Sequence, residues 1–311
     1  MPADGARRPD FRAALALVAV QLCFGAFPVF GKIALTEVSP FVLAAFRAAV
    51  GAVVIGLLAR PRLKREPPLS GREHAELFAL ALLGIVGNQV LFISGLHRST
   101  ATNAALISAM IPVFTLALAA LFRVDTPSLR RLVGVPLALS GALLLMNLGH
   151  VDLSDRTFAG DAMLVLNCLS YAAFLVGSRG ILRRRDALAV TAWLFRYGAV
   201  PILALSVPGL LRFRPTEVSP AAWAAVAGIL VFPTLVAYSL NIWALARTGP
   251  STAAVYVYLQ PLVAAALAWA ILAERPVPRT LLAALLIFAG LALATFPARR
   301  PQSNGAGRPN R

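Results

Sequence analysis

Long apolar stretches separated by short charged segments fill most of this 311-residue chain. A helix that crosses a lipid bilayer needs about 20 mostly apolar residues. Ten stretches of suitable length can be read from the sequence, and eight of them contain no Asp, Glu, Lys or Arg. The pattern therefore predicts an all-α polytopic membrane protein with ten transmembrane helices, at residues 13–31, 38–59, 77–96, 99–122, 132–149, 162–178, 187–211, 218–246, 248–273 and 281–298.

The second half of the chain repeats the first at a constant offset of 149 residues, as from Arg47 to Arg196. No gap is needed between residues 47 and 141, which indicates two copies of one unit. Each copy contains five predicted helices, an odd number, so the second copy enters the membrane from the opposite side. The sequence thus predicts two inverted five-helix repeats, an arrangement found in many secondary transporters. Other pairs at the same offset are Phe46 and Phe195, Pro112 and Pro261, and Gly141 and Gly290.

The net charge of +16 must be interpreted from the positions of the basic residues along the chain. With the N-terminus in the cytoplasm, 20 of the 29 Lys and Arg residues lie in cytoplasmic segments and seven lie outside. This bias follows the positive-inside rule and predicts a multi-pass protein of the cell membrane with both termini cytoplasmic. The charge is therefore explained by topology, and a nucleic-acid partner is not expected. With 59% hydrophobic residues, a soluble core of this length does not explain the composition.

Several short motifs occur in the same order in both halves. The first half contains GAFPVFGK at 25–32, Ser39-Pro40 followed by Phe46-Arg47, and GLHRSTATNAA at 95–105. The second half contains ALARTGPSTAA at 244–254 and Ala273-Glu274-Arg275. These motifs resemble those of an EamA-type domain, and the resemblance covers roughly residues 13–298. Repeat 1 departs from the pattern, because Val124-Asp125 stands where the family usually has Gly-Glu.

The resemblance implies a member of the drug/metabolite transporter superfamily. It divides the chain into a cytoplasmic tail at 1–12, a first repeat at 13–149, a second repeat at 157–298 and a basic cytoplasmic tail at 299–311. It also implies export as the direction of transport. The expected function is secondary transport of a small metabolite, such as an amino acid or an aromatic compound, by alternating access between the repeats. A lipid or lipid-linked flippase of the same fold is the alternative.

Polar and aromatic side chains inside the predicted helices are the candidate substrate contacts, because unpaired polar groups are expensive at membrane depth. Amide, hydroxyl and aromatic groups suit a small neutral, zwitterionic or aromatic solute. For each residue taken alone, the alternative is that its side chain forms a hydrogen bond between helices and does not contact the substrate. The candidates are Gln21, Phe24, Asn88, Gln89, Asn103, Asn167, Tyr171, Tyr238, Asn241, Tyr256 and Gln260.

Arg47 and Arg196 are the two charged residues well inside predicted helices. One hypothesis is that they bind an anionic group of the substrate, or hold helix ends on opposite sides of the cavity. The alternative is that each guanidinium snorkels or satisfies backbone carbonyls. Pro112 and Pro261 are the candidate hinges, with helix shape as the alternative role.

Acidic residues lie in tails, loops or helix margins in this interpretation, the nearest being Glu76, Asp161 and Glu274. Facilitated diffusion or exchange is therefore favoured over proton coupling through a marginal carboxylate. The three histidines lack metal-ligand spacing, and the glycines near Lys32 do not match a phosphate-binding loop. The chain is thus not expected to be an enzyme or to need a metal or cofactor. Membrane lipids are expected partners, and the sequence leaves a homo-oligomer open.

Overall fold

A computed structural model describes residues 11–122, 129–145, 156–237, 259–275 and 277–295, together with residues 240, 244 and 256. Within these residues the fold is all-helical and contains no strand. The helices are α1 (Phe11–Ala34), α2 (Pro40–Leu63), α3 (Gly71–Ala81), α4 (Asn88–Arg98), α5 (Ala101–Ser108), α6 (Ile111–Leu121), α7 (Leu129–Leu145), α8 (Arg156–Gly177), α9 (Arg179–Leu182), α10 (Ala187–Arg212), α11 (Pro220–Ile229), α12 (Leu259–Leu272) and α13 (Pro278–Thr295).

The described helices overlap each of the ten predicted spans, and the all-helical fold class is confirmed. Six of the helical segments are long and apolar enough to cross a bilayer, and shorter apolar helices account for further spans. Side-chain caps fix several helix starts: Ser70 accepts a hydrogen bond from Glu73 N, and its repeat equivalent Ser219 accepts one from Ala222 N. The same cap therefore begins the third helix of each repeat.

The fourth predicted span, 99–122, consists of two helices instead of one. α5 ends at Ser108 and α6 begins at Ile111. Pro112 has no N–H to donate to the carbonyl of Ser108, four residues earlier, so the α-helical hydrogen bonds cannot continue through this point. The sequence predicts Pro112 as a hinge candidate, and the structure places a helix break there.

The inverted relation between the repeats is visible where α2 packs against its repeat equivalent, α10. Ser206 Oγ, near the end of α10, donates a 2.7 Å hydrogen bond to Phe41 O at the start of α2. At the other end Arg62 of α2 pairs with Asp186, the N-cap of α10, at 3.1 Å. The two helices are therefore antiparallel, as five helices per repeat require. Repeat equivalents α7 and α13 also pack against each other.

π-helical turns interrupt the third span of each repeat. The first, π1, spans Leu82–Gly87, and the second, π2, spans Leu230–Val236. Their positions are equivalent under the repeat. Such turns are rare and are frequent at functional sites. Here side chains add hydrogen bonds to backbone carbonyls: Ser170 Oγ donates to Leu83 O at 2.9 Å, which also accepts from Asn88 N, and Thr234 Oγ1 donates to Ile229 O at 3.0 Å.

The two ends of the helix bundle carry different polar clusters. At one end, here called the Glu37 end, Glu37 accepts hydrogen bonds from Ser219 N at 2.6 Å and Ser219 Oγ at 2.7 Å. At the opposite end, the Arg185 end, Arg185 binds Glu73 at 2.8 Å and Glu66 at 3.1 Å. The charge bias of the sequence predicts that the Arg185 end is cytoplasmic.

Candidate functional site

A cavity of about 280 Å³ lies between the repeats in the interior of the bundle. Both π-helical turns line it, with Gly84 and Ile85 from π1 and Pro233 and Thr234 from π2. This volume is near the lower end of the range for small-molecule sites. Five of the sequence-predicted residues also line the cavity: Phe24, Arg47, Asn88, Gln89 and Tyr171.

Arg47 supplies the positive charge of the cavity. Its guanidinium carbon lies 4.2 Å from the centre of the Phe27 ring, and its Nε is buried without a hydrogen-bond partner among the described residues. No described Asp or Glu lines the cavity. Because a buried charge without a counter-ion is costly, this arrangement favours a bound anionic group.

Gln89 supplies the second unpaired polar atom of the cavity. Its Oε1 is the other buried side-chain oxygen or nitrogen without a hydrogen-bond partner in the part of the chain that the structure describes. The neighbouring Asn88 is held differently, since its backbone carbonyl accepts a 2.7 Å hydrogen bond from Asn167 Nδ2. Asn167 therefore positions α4 from α8 and does not line the cavity itself. The cavity thus offers one unpaired cationic donor and one unpaired acceptor.

Aromatic side chains form much of the remaining wall. Tyr171 and Phe174 lie 5.5 Å apart between ring centres, and Phe24 and Phe195 add faces from α1 and α10. Gly84 makes room for this wall, because a Cβ placed there would lie 2.5 Å from Phe174 Cγ. Rings of this kind pack well against an aromatic solute.

The cavity is displaced toward the Arg185 end of the bundle. Its lining includes Thr191, about 6 Å from the first residue of α10, and Phe174, about 4 Å from the end of α8. Toward the Glu37 end the lining stops at Arg47 and Gln89. Arg47 lies about 10 Å from the first residue of α2, and Gln89 lies about 13 Å from the last residue of α4. Access from the Arg185 end is therefore the shorter route among the described residues.

Polar groups close the Glu37 end between the repeats. Glu274 accepts hydrogen bonds from the backbone N–H groups of Ala101 and Thr102 at 2.9 and 3.0 Å, and so caps α5 from the second repeat. Lys32 Nζ donates to Ser99 O at 2.7 Å. These contacts join α1 to the end of α4, and the start of α5 to the segment after α12, in one layer.

Asp161, expected at the margin of the sixth span, is buried near the start of that helix. α8 begins at Arg156, so Asp161 lies about 7 Å inside the helix and is only 1% exposed. Ser99 Oγ donates a hydrogen bond to it, and Asn103 Nδ2 donates another at 3.0 Å. Asp161 therefore stays near the Glu37 end of α8, but it is buried and hydrogen-bonded there. Asn103 binds this carboxylate and does not line the cavity.

Other predicted residues lie elsewhere. Gln260 Nε2 donates a 2.6 Å hydrogen bond to Gln21 Oε1, which joins α12 to α1 outside the cavity lining. Tyr256 packs beside Leu17 of α1, and Pro261 is buried near the described start of α12. Two further candidates, Tyr238 and Asn241, lie outside the described residues.

Arg196 does not share a cavity with Arg47. It is exposed, its guanidinium carbon lies 4.8 Å from the centre of the Trp193 ring, and it lines a separate cavity at the Arg185 end. Sequence equivalence therefore does not give these two arginines equivalent surroundings. Several other lining residues were not predicted from the sequence, notably Thr191, Phe195 and Thr234. A usable signal existed for Thr234, since it follows an intramembrane proline in π2.

The described residues contain no group of three or more His, Cys, Asp or Glu side chains placed to hold a metal ion. The site consists of one guanidinium, amide and hydroxyl groups, and aromatic rings. This chemistry suits reversible binding of a solute.

Comparisons with known proteins agree with this arrangement. The EamA-like transporter family matches residues 11–147 and again residues 158–296. An uncharacterized transporter of Archaeoglobus fulgidus is 28% identical over 90% of this chain and 96% of its own length. A WAT1-related protein of Arabidopsis thaliana is 28% identical over 91% of this chain and 81% of its own. The inner membrane transporter YedA of Escherichia coli is 25% identical over 80% of this chain and 79% of its own.

One solved crystal structure shares the fold, with a TM-score of 0.60 and 19% identity over 92% of this chain and 96% of that one. The archaeal and Escherichia coli relatives are named as transporters, and the matching family is a transporter family, which confirms the prediction that the chain is not an enzyme. They give no support to the flippase alternative. The duplicated match covers nearly the whole described bundle, so the chain is a multi-pass membrane protein that belongs to the EamA-like transporter family.

Proposed function

We propose that this transporter carries aromatic carboxylates that also bear an N–H donor, with aromatic amino acids as the representative class. The observation that supports the proposal is the pair of unpaired buried atoms, Arg47 Nε and Gln89 Oε1, in one aromatic cavity. A carboxylate pairs with the guanidinium, and an ammonium or N–H group donates to the amide oxygen. The substrate ring then packs between Phe24, Tyr171 and Phe195.

Transport by this proposal proceeds through alternating access between the inverted repeats. The cavity lies nearer the Arg185 end, while Glu274 and Lys32 hold the Glu37 end together. Exchanging the conformations of the two repeats moves the closed layer to the other end. π1 and π2 are the segments proposed to change shape, because both line the cavity and both depart from regular α-helical bonding.

The proposal favours exchange or facilitated diffusion over proton coupling. The described lining of the cavity contains no carboxylate, and Asp161 lies in the layer at the Glu37 end. Flux of a labelled substrate is therefore expected to be the same with and without an imposed pH gradient. Accumulation that occurs only with the gradient would refute this expectation and show that transport is coupled to protons.

The test is uptake of labelled phenylalanine into proteoliposomes loaded with unlabelled phenylalanine, so that both a facilitator and an exchanger give flux, with protein-free vesicles loaded in the same way as the control. Competition separates the two polar contacts: phenylalanine carries both groups, 3-phenylpropionate carries only the carboxylate, and phenethylamine carries only the amine. Phenylalanine is expected to compete best and phenethylamine worst, because the guanidinium repels a cation. Equal competition by phenethylamine and phenylalanine would refute the proposed orientation. Uptake no greater than in protein-free vesicles would refute the substrate class.

A further inference from the structure

A second cavity, of about 410 Å³, lies at the Arg185 end between α2, α3 and α10. Its walls come from the last turn of α2, the connection at 64–70, Leu77 of α3 and the first turns of α10. None of these lining residues is shared with the central cavity. The transport site therefore does not explain this feature.

Basic side chains dominate the polar lining of this second cavity. Arg60, Lys64, Arg185 and Arg196 line it, against a single acid, Glu66. Glu66 is already paired with Arg185 at 3.1 Å. Arg60, Lys64 and Arg196 have no carboxylate partner among the described residues. The cavity thus holds three basic groups that no described carboxylate neutralises.

Apolar surface continues from the basic groups toward the middle of the membrane. Val53, Leu57, Arg60 and Lys64 follow one another at helical spacing along one face of α2, and Val53 and Leu57 are exposed. On α10 the same order holds, with Arg196 followed by the exposed Val200. Trp193, which packs against Arg196, has the amphipathic ring typical of the membrane interface. A charged end followed by an apolar strip matches the shape of a phospholipid.

We propose that the cavity bounded by Arg60, Lys64, Arg196 and Trp193 is a resident binding site for an anionic phospholipid. The lipid phosphate pairs with the three basic groups, and the acyl chains lie along Val53, Leu57 and Val200. Basic pockets between helices on the cytoplasmic side are suited to such headgroups. The lipid is a bound partner here and not the transported solute.

The test is native mass spectrometry of the detergent-purified full chain, presented with phosphatidylglycerol or with phosphatidylcholine of the same acyl chains. The test variant combines Arg60→Gln, Lys64→Gln and Arg196→Gln. The control variant combines Arg72→Gln, Arg179→Gln and Arg183→Gln, which remove the same charge from exposed positions outside the cavity. Size-exclusion chromatography confirms that both variants are folded before the lipids are added.

The native chain and the control are expected to retain phosphatidylglycerol in preference to phosphatidylcholine. Each basic side chain near an anionic lipid contributes about fivefold, so the test variant is expected to bind phosphatidylglycerol about 100-fold more weakly. Equal binding by both variants would refute the site, since a diffuse basic surface would then account for retention. Displacement of the lipid by millimolar inorganic phosphate would instead identify a free-phosphate site and refute the lipid.

Discussion

Replacing Arg47 with Gln removes the one charge in the described lining of the central cavity. The side chain keeps most of its polar length, but the substrate carboxylate loses a charge-assisted partner. A hydrogen bond to a charged group contributes about 1.5–3 kcal/mol. A factor of ten corresponds to about 1.4 kcal/mol, so half-saturation for phenylalanine is expected to rise by about 10-fold to 150-fold.

The assay measures initial uptake into proteoliposomes across a range of phenylalanine concentrations. Arg214→Gln is the matched control, because Arg214 is 72% exposed, lies outside the central cavity and pairs with the exposed Glu217 three residues later. The same variants are then tested with phenethylamine as the competitor. The Arg47 variant is expected to lose most of its preference for phenylalanine over phenethylamine, while the Arg214 control keeps it.

Two results would refute the reasoning about Arg47. Unchanged half-saturation with normal protein recovery would show that the guanidinium does not contact the substrate. An equal loss for phenylalanine and phenethylamine would show that Arg47 supports the fold of the cavity and does not select a carboxylate. Arg47→Lys separates these cases further, since it keeps the charge but not the planar donor geometry.

Three further changes test other parts of the structure. Gly84→Leu is expected to abolish phenylalanine binding, measured by equilibrium binding to purified protein, because its side chain enters the space beside Phe174; retained affinity would contradict this. Gly290→Ala is expected to destabilise the protein by about 1–3 kcal/mol, because the Cβ of the new alanine would lie 2.4 Å from Ala138 N. The effect is measured by thermal unfolding, and an unchanged melting temperature would contradict the close packing of α13 against α7. Hydrogen bonds from the Ser219 N–H and hydroxyl groups lower the pKa of the Glu37 carboxyl group. The stabilisation from the Glu37–Ser219 contact is therefore present above the pKa that Glu37 has in the unfolded chain, and it is lost as the pH falls through the lower pKa of the folded protein. Glu37→Gln should thus lower the melting temperature at pH 7 and not at strongly acidic pH, and a pH-independent difference would oppose this reasoning.

Hydrophobic patterning and the internal repeat predicted the fold class correctly. The reason is physical: a bilayer admits only segments that satisfy their own backbone hydrogen bonds, so apolar length alone identifies helices. The odd number of helices per repeat then required inversion, and the antiparallel packing of α2 and α10 agrees with it. One helix break could also be predicted from the sequence, because α5 ends four residues before Pro112.

The site was predicted less completely than the fold. Phe24, Arg47, Asn88, Gln89 and Tyr171 line the cavity, whereas Gln21, Asn103 and Gln260 bind other helices. A polar residue at membrane depth needs a partner, and the sequence does not say whether that partner is a neighbouring helix or a solute.

The sequence by itself determined that the protein is a duplicated, inverted, ten-helix membrane protein of a transporter family, because length, hydropathy and repeat spacing are properties of local segments. Only the tertiary structure decided that Arg47 and Arg196, equivalent by repeat, occupy different cavities, and that Asp161 is buried in the layer at the Glu37 end. Burial and pairing depend on which helices meet in space. The two repeats differ in conformation, so residues that are equivalent in sequence have different surroundings.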